Sequence, residues 1–176
     1  EYPGSGYVPY DDEGTKARKN YLIKNGILAG RLHSGQTAAA LKEGLTGNAR
    51  AIDCTFEPIV RMTTTYIEPG DQTFEQLIAP IQKGYYIKTI SHGSGMSTFT
   101  IAPRLAYEIE NGHLGKPTQI SVITGSVFET LGLIDGLSNE LTLLSFVTGG
   151  CGKMEQQGLP VGFGGPCVRV SEMNVQ

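Results

Sequence analysis

A chain of 176 residues with a formal charge of -3 and a sequence pI near 5.6 scatters its 14 basic residues, which excludes the clustered Lys and Arg that a nucleic-acid interface requires. Its longest apolar run, 141–147, is interrupted by Thr142 and Ser145 and falls far short of the roughly 20 residues of a bilayer-spanning helix, so a soluble protein off the membrane is expected. The length suffices for one domain with its own core, and three cysteines at irregular spacing, Cys54, Cys151 and Cys167, suit a reducing cytoplasm better than a secreted disulfide framework, with a Cys151–Cys167 bridge as the rival.

The chain opens on Glu1-Tyr2-Pro3-Gly4 without an initiator Met or the regions of a signal peptide, so an upstream segment is expected. The acidic run Asp11-Asp12-Glu13 meets Gly14 and Thr15 at once, which favours a turn over a cation site. Two stretches, 21–28 and 107–114, share an Asn-Gly pair between apolar residues and predict type I′ hairpins, because both central residues of that turn need positive φ. His33 is placed at a strand end, beside Ser34 and Gly35, as a solvated side chain, and a short helix is expected over 37–42. Alternating β-branched and aromatic residues predict strands at 59–67, 85–90, 98–102, 119–124, 141–147 and 168–170.

Arg61, inside the first of those strands, is a candidate for a carboxylate or a peptide terminus, with a structural salt bridge as the expectation. A helix over 73–83 is signalled by a capping box, Thr73 with Gln76, by Phe74, Leu77, Ile78 and Ile81 on one face, and by Gly84 as the stop. Pro80 should shorten or kink it. Residues 91–97 read as a loop of small residues in which His92 and Ser94 could contact a substrate, the plainer alternative being a flexible connection. His113 follows a hairpin turn and should be exposed. A second capping box, Ser126 with Glu129, predicts another helix, with Val127, Leu131 and Ile134 on one face. The sum is an α+β fold, a mainly antiparallel β-sheet or open barrel with two or three short covering helices.

The densest feature is Thr148-Gly149-Gly150-Cys151-Gly152-Lys153, followed by glycines at 158, 162, 164 and 165. A phosphate-binding loop is excluded, because Val147 and Met154 stand where that motif requires Gly and Ser or Thr. Glycines on both sides of a thiol uncover it and permit backbone angles that push the sulfur into a cleft. That suits a metal ligand or a nucleophile, while a small buried thiol at a tight turn explains the same residues; none of His33, His92 and His113 is adjacent as a base.

Cys151-Gly152-Lys153, Gln157, Leu159-Pro160-Val161-Gly162 and Gly165-Pro166 resemble the C-terminal signature of the TldD branch of the TldD/PmbA family, long labelled modulators of DNA gyrase. Further segments resemble family segments in the same order: 11–15, 22–30, Thr46-Gly47-Asn48-Ala49-Arg50, Arg61-Met62-Thr63, Thr65-Tyr66, Pro69-Gly70 and Ile109-Glu110-Asn111-Gly112. The resemblance implies that residues 1–176 are the C-terminal domain of a zinc metallopeptidase that hydrolyses small or unfolded peptides in a chamber formed with a related subunit. It implies an upstream H-E-x-x-x-H helix giving two zinc ligands and the general base, and Cys151 as the remaining metal ligand. Catalytic residues are then absent from this stretch, which alone should be inactive, and Gly152 and Lys153 join His92 and Ser94 as candidates for peptide contact. The alternatives are a scaffold or subunit-interaction module without chemistry of its own, and a cysteine-nucleophile hydrolase.

Overall fold

A computed structural model describes residues 4–176, apart from the side chains at 147–149. In chain order its elements are β1 (Ile23–Lys24), β2 (Ile27–Leu28), α1 (Gly35–Leu41), β3 (Ala49–Arg50), β4 (Ile59–Val60), β5 (Thr64–Tyr66), α2 (Phe74–Ile78), β6 (Lys83–Gly95), β7 (Thr98–Glu110), β8 (His113–Thr118), β9 (Ile123–Ser126), α3 (Val127–Gly132), β10 (Ile134–Leu137), β11 (Thr142–Lys153), β12 (Gln156–Gly165), β13 (Val168–Val170) and β14 (Asn174–Val175). The fold is α+β, with short helices and predominantly antiparallel pairing; among the described residues the strands form several sheets and no closed barrel. Val147, the end of a predicted strand, and Thr148 and Gly149 of the glycine-rich motif lie in β11, but their side chains are outside the described residues.

The chain divides into two compact units, one built from residues up to Ile67 together with Thr142–Gly164, the other from Glu68–Leu141 and Gly165–Gln176. In the first, β11, β12 and β5 form a three-stranded sheet whose β12–β5 pairing is parallel, Phe163 opposite Thr65. Beside it are the two-stranded ribbons β1–β2 and β3–β4. The first hairpin turn is as predicted: Asn25 and Gly26 take φ of 52° and 75°, and Lys24 pairs with Ile27. The predicted strand 59–67 is two strands, because at 61–63 the backbone leaves the β3 ribbon before it joins β12. Asp11 organises the acidic turn: its buried carboxylate accepts from the backbone N–H groups of Thr15 at 2.8 Å, Glu13 at 3.2 Å and Ala49 at 3.0 Å.

The second unit is organised by β7, which pairs with β6 along one side and with β8 and then β9 along the other. Its turn to β8 again has two positive-φ residues, Asn111 at 49° and Gly112 at 77°. Ala106, Ile120 and Ile123 form the core, with Ile87, Ile101 and Met173 packed around them. Helix α2 has the predicted capping box, with Thr73 Oγ1 accepting from Gln76 N and the Gln76 side chain accepting from Thr73 N at 2.8 Å. It stops at Ile78, two residues before Pro80, because that ring crowds the preceding turn.

Three expectations fail in this unit, the first being the strand expected at 119–124, of which only 123–124 lie in a strand, β9. Ser126 stands at the N-cap of α3 without a side-chain capping bond, and the helix ends at Gly132, so Ile134 starts β10 rather than sharing a face with Val127 and Leu131. Residues 91–97 are not a loop: β6 continues through His92 and Ser94, which pair with Ala102 and Thr100, and only Met96 and Ser97 form the connection. The reason is that the backbone of β7 completes the ladder whatever the side chains, so small residues extend the strand when a long partner is present.

Candidate functional site

Cys151 lies near the end of β11, three residues before the hairpin connection Met154-Glu155. Neither Gly150 nor Gly152 takes a positive φ. The flanking glycines therefore serve space rather than unusual backbone angles: a Cβ on Gly150 would collide with the Leu159 carbonyl, and one on Gly152 with the Gln157 side-chain amide. The connection itself uses Met154 at φ 54°, with Gln157 Nε2 donating to the Met154 carbonyl at 2.9 Å across the turn.

Four side chains tie this hairpin to the segment that contains β3 and β4, all through backbone groups. Arg61 Nη2 donates to the Cys151 carbonyl at 2.6 Å, and Arg50 donates to the carbonyls of Met62 at 2.7 Å and Pro160 at 3.1 Å. Lys153 Nζ donates to the Val60 carbonyl at 2.8 Å. Gln156, buried, accepts from Ile52 N at 2.9 Å and donates to the Glu57 carbonyl at 3.0 Å. Asn48 fixes Arg61 in turn: the Arg61 N–H donates to the Asn48 carbonyl at 2.8 Å, and Asn48 Nδ2 donates to the Arg61 carbonyl at 3.1 Å.

The predicted salt bridge of Arg61 does not form. Among the described residues no carboxylate contacts it, and its Nε and Nη1 are buried without a hydrogen-bond partner. Burial pulls the Arg50 guanidinium below its ordinary range; the charge of Asp12 opposes this, that of Arg61 adds to it, and a negative charge on Cys151 opposes it again. Cys151 is half-buried and free, and the contact of its Sγ with the Gly152 carbonyl is long, 3.9 Å. Cys54 and Cys167 are also free, so the Cys151–Cys167 bridge is not formed.

Of the other candidates, Gly152 and Lys153 are exposed beside Cys151 in the first unit, while His92 and Ser94 are exposed on β6 in the second. His113 is exposed at its hairpin, as predicted. His33 is not the solvated strand-end residue expected. It precedes α1, is 2% exposed, and has both ring nitrogens engaged, Nδ1 with Thr37 Oγ1 at 3.1 Å and Nε2 with Glu43 Oε2 at 2.8 Å. Neighbouring Ser34 is the N-cap of α1, in a capping box with Thr37. Sequence reasoning missed Arg50 and Asn48 as supports of the site. Their only signal was a position in the motif 46–50.

Among the described residues no three His, Cys, Asp or Glu side chains come together as a metal-binding group. Cys151 could offer a single sulfur donor to a metal. None of the described helices is long and apolar enough to cross a membrane.

The family model of the PmbA/TldA metallopeptidase C-terminal domain matches residues 2–176, and the chain belongs to that family. A metalloprotease of Synechocystis sp. is 39% identical over 171 residues, covering 97% of this chain and 36% of that protein. The zinc metalloprotease TldD homolog of Saccharolobus solfataricus is 34% identical, covering 99% of this chain and 39% of that protein. The chain thus spans little more than a third of the length of the curated relatives it matches. Among solved structures, TldE from Thermococcus kodakarensis superposes with a TM-score of 0.69 at 25% identity, over 92% of this chain and 36% of that one. A Thermotoga maritima protein described as 'a putative modulator of a DNA gyrase' shares the fold, with a TM-score of 0.72 at 24% identity over 98% of this chain and 36% of that one.

Proposed function

We propose that this chain is the C-terminal domain of a TldD-type zinc metallopeptidase acting on small or unfolded peptides, and that Cys151 is its contribution to the metal site. The observation that carries the reading is the free Cys151 thiol on a strand whose carbonyl is held by the buried Arg61 and whose surroundings are cationic. A free, half-buried thiol held in that setting is available as a sulfur donor to zinc. Two imidazoles and a general base on an upstream H-E-x-x-x-H helix would complete the site, as the family resemblance implies. Zinc held there supplies Lewis-acid polarisation of a peptide carbonyl and a bound water of lowered pKa.

The residues of this chain hold and orient. The glycines at 150 and 152 let β11 and β12 approach, Arg61 and Lys153 fix the strand end, and the exposed backbone at 152–153 is available to a peptide beside the ligand residue. His92 and Ser94, on the exposed end of β6, are independent candidates for contact with an extended peptide. A related TldD/PmbA-family subunit is the expected partner, which the likeness to TldE supports. The cytoplasm is the expected compartment.

A cysteine nucleophile is the weaker reading, because His33, the histidine of the same unit, is buried and engaged by Thr37 and Glu43. A scaffold role is favoured only by the lack of a complete ligand set among the described residues. In the intact protein, Cys151→Ala should abolish zinc retention and peptide hydrolysis while the protein stays folded. Wild-type zinc content and hydrolysis in that variant would refute the ligand assignment.

A further inference from the structure

Arg61 is among the largest fully buried side chains of the described residues, 2% exposed, yet it is not neutralised by a contacting carboxylate, and two of its three nitrogens have no acceptor. Burying a guanidinium that is left partly unsatisfied is unfavourable, and an apolar residue of similar volume is often as stable or more so. Stability of the fold therefore does not explain an arginine at this position. Its one side-chain bond does point to a role: Nη2 reaches the carbonyl of Cys151, the shortest of the bonds that tie the hairpin down.

We infer that Arg61 is the positioning residue of Cys151. The inference rests on the reading of Cys151 as a metal ligand. Asn48 locks the Arg61 backbone from both sides, at its N–H and at its carbonyl, so the guanidinium starts from a fixed point. Its planar fork then fixes the peptide plane that follows Cys151 and so the direction in which the thiol leaves β11, while the room left by Gly150 and Gly152 keeps β12 from displacing the strand. A lysine would keep the charge but lose the planar, directional donor. Arg50 is the internal comparison, since it is similarly buried and donates to the carbonyls of Met62 and Pro160 rather than to Cys151.

The test uses the intact protein with Co2+ in place of zinc, reading both the Co2+ affinity and the sulfur-to-cobalt charge-transfer band. Arg61→Met should weaken metal binding about 10- to 100-fold, the loss expected for an outer-shell partner of a metal ligand, and displace the band. Arg61→Lys should recover part of the affinity. Arg50→Met should lower the melting temperature with a smaller loss of affinity. Affinity and band at wild-type values in folded Arg61→Met, or a loss no larger than that of Arg50→Met, would overturn the assignment. If Arg61→Met does not fold, Arg61→Lys decides: a displaced band supports positioning, and a band and affinity at wild-type values refute it. Cys151→Ser separates the two proposals, because a wild-type band in that variant removes the ligand reading itself, whatever Arg61 does.

Discussion

The two units of this chain have different interiors. In the unit built around β7, the buried residues are almost all aliphatic: Leu77, Ile78, Ala106, Ile109, Ile120 and Ile123, with Ser138 as the polar exception. Among the described residues of the unit that carries Cys151, Asp11, His33, Ser34, Thr46, Asn48, Arg50, Arg61 and Gln156 are buried, against the apolar side chains of Ala38, Ala49, Leu159 and Val161. An aliphatic core is the less costly way to hold strands together, because each buried polar group must recover its lost hydration through a bond. The first unit accepts that cost because directional bonds fix a strand end in a way that dispersion contacts cannot. The contrast teaches which unit is held by apolar packing and which by directional polar bonds.

That contrast can be broken by substitution and urea denaturation. Ile123→Ala removes a fully packed side chain from the aliphatic core and should cost about 3 kcal/mol. Asp11→Ala leaves three backbone N–H groups without their acceptor and should cost about 2 kcal/mol, and a value near zero would show that the polar interior contributes no stability through its bonds. Local capping sharpens the scale: Thr73→Ala should cost about 1 kcal/mol because its hydroxyl caps α2, whereas Ser126→Ala should lie within about 0.3 kcal/mol of wild type.

The smallest effect is pH-dependent. The Glu43 carboxyl is held below its ordinary value of 4.5, first by the hydrogen bond from His33 and then by the charges of Arg31 and His33, with desolvation opposing. A depressed carboxylate contributes stability that is fully present above the unfolded value and is lost as pH falls through the folded one. Melting curves of wild type and Glu43→Gln should therefore differ at neutral pH and converge as pH falls below 4.5 and through the lowered folded value. A difference that persists at lower pH would mean that the ion pair with Arg31 and His33 is not its source.

Both Asn-Gly hairpins and the Thr73 capping box were legible in the sequence, because each depends on residues within a few positions of one another, whereas α2 stops at Ile78 although Pro80 signals only a shortened last turn of a helix reaching 83. The family was legible as well, from motifs in one order. The burial of His33 was not legible, since it depends on Thr46 and Glu43 returning to cover it. The missing cap at Ser126 was hidden for a similar reason: its pattern with Glu129 is local, but a strand, β9, delivers Ser126 to the helix and the hydroxyl does not turn to cap.

What the sequence determined alone about Cys151 was its neighbourhood: a thiol between glycines, within segments that resemble one family. Only tertiary structure decided why the glycines are there and what holds the strand. Gly150 and Gly152 give room to Leu159 and Gln157 rather than to an unusual φ. The bond that fixes the Cys151 carbonyl comes from Arg61, 90 positions earlier. Backbone dihedral preferences can be read one residue at a time, but a side chain reaching a distant carbonyl depends on the packing of every element between them.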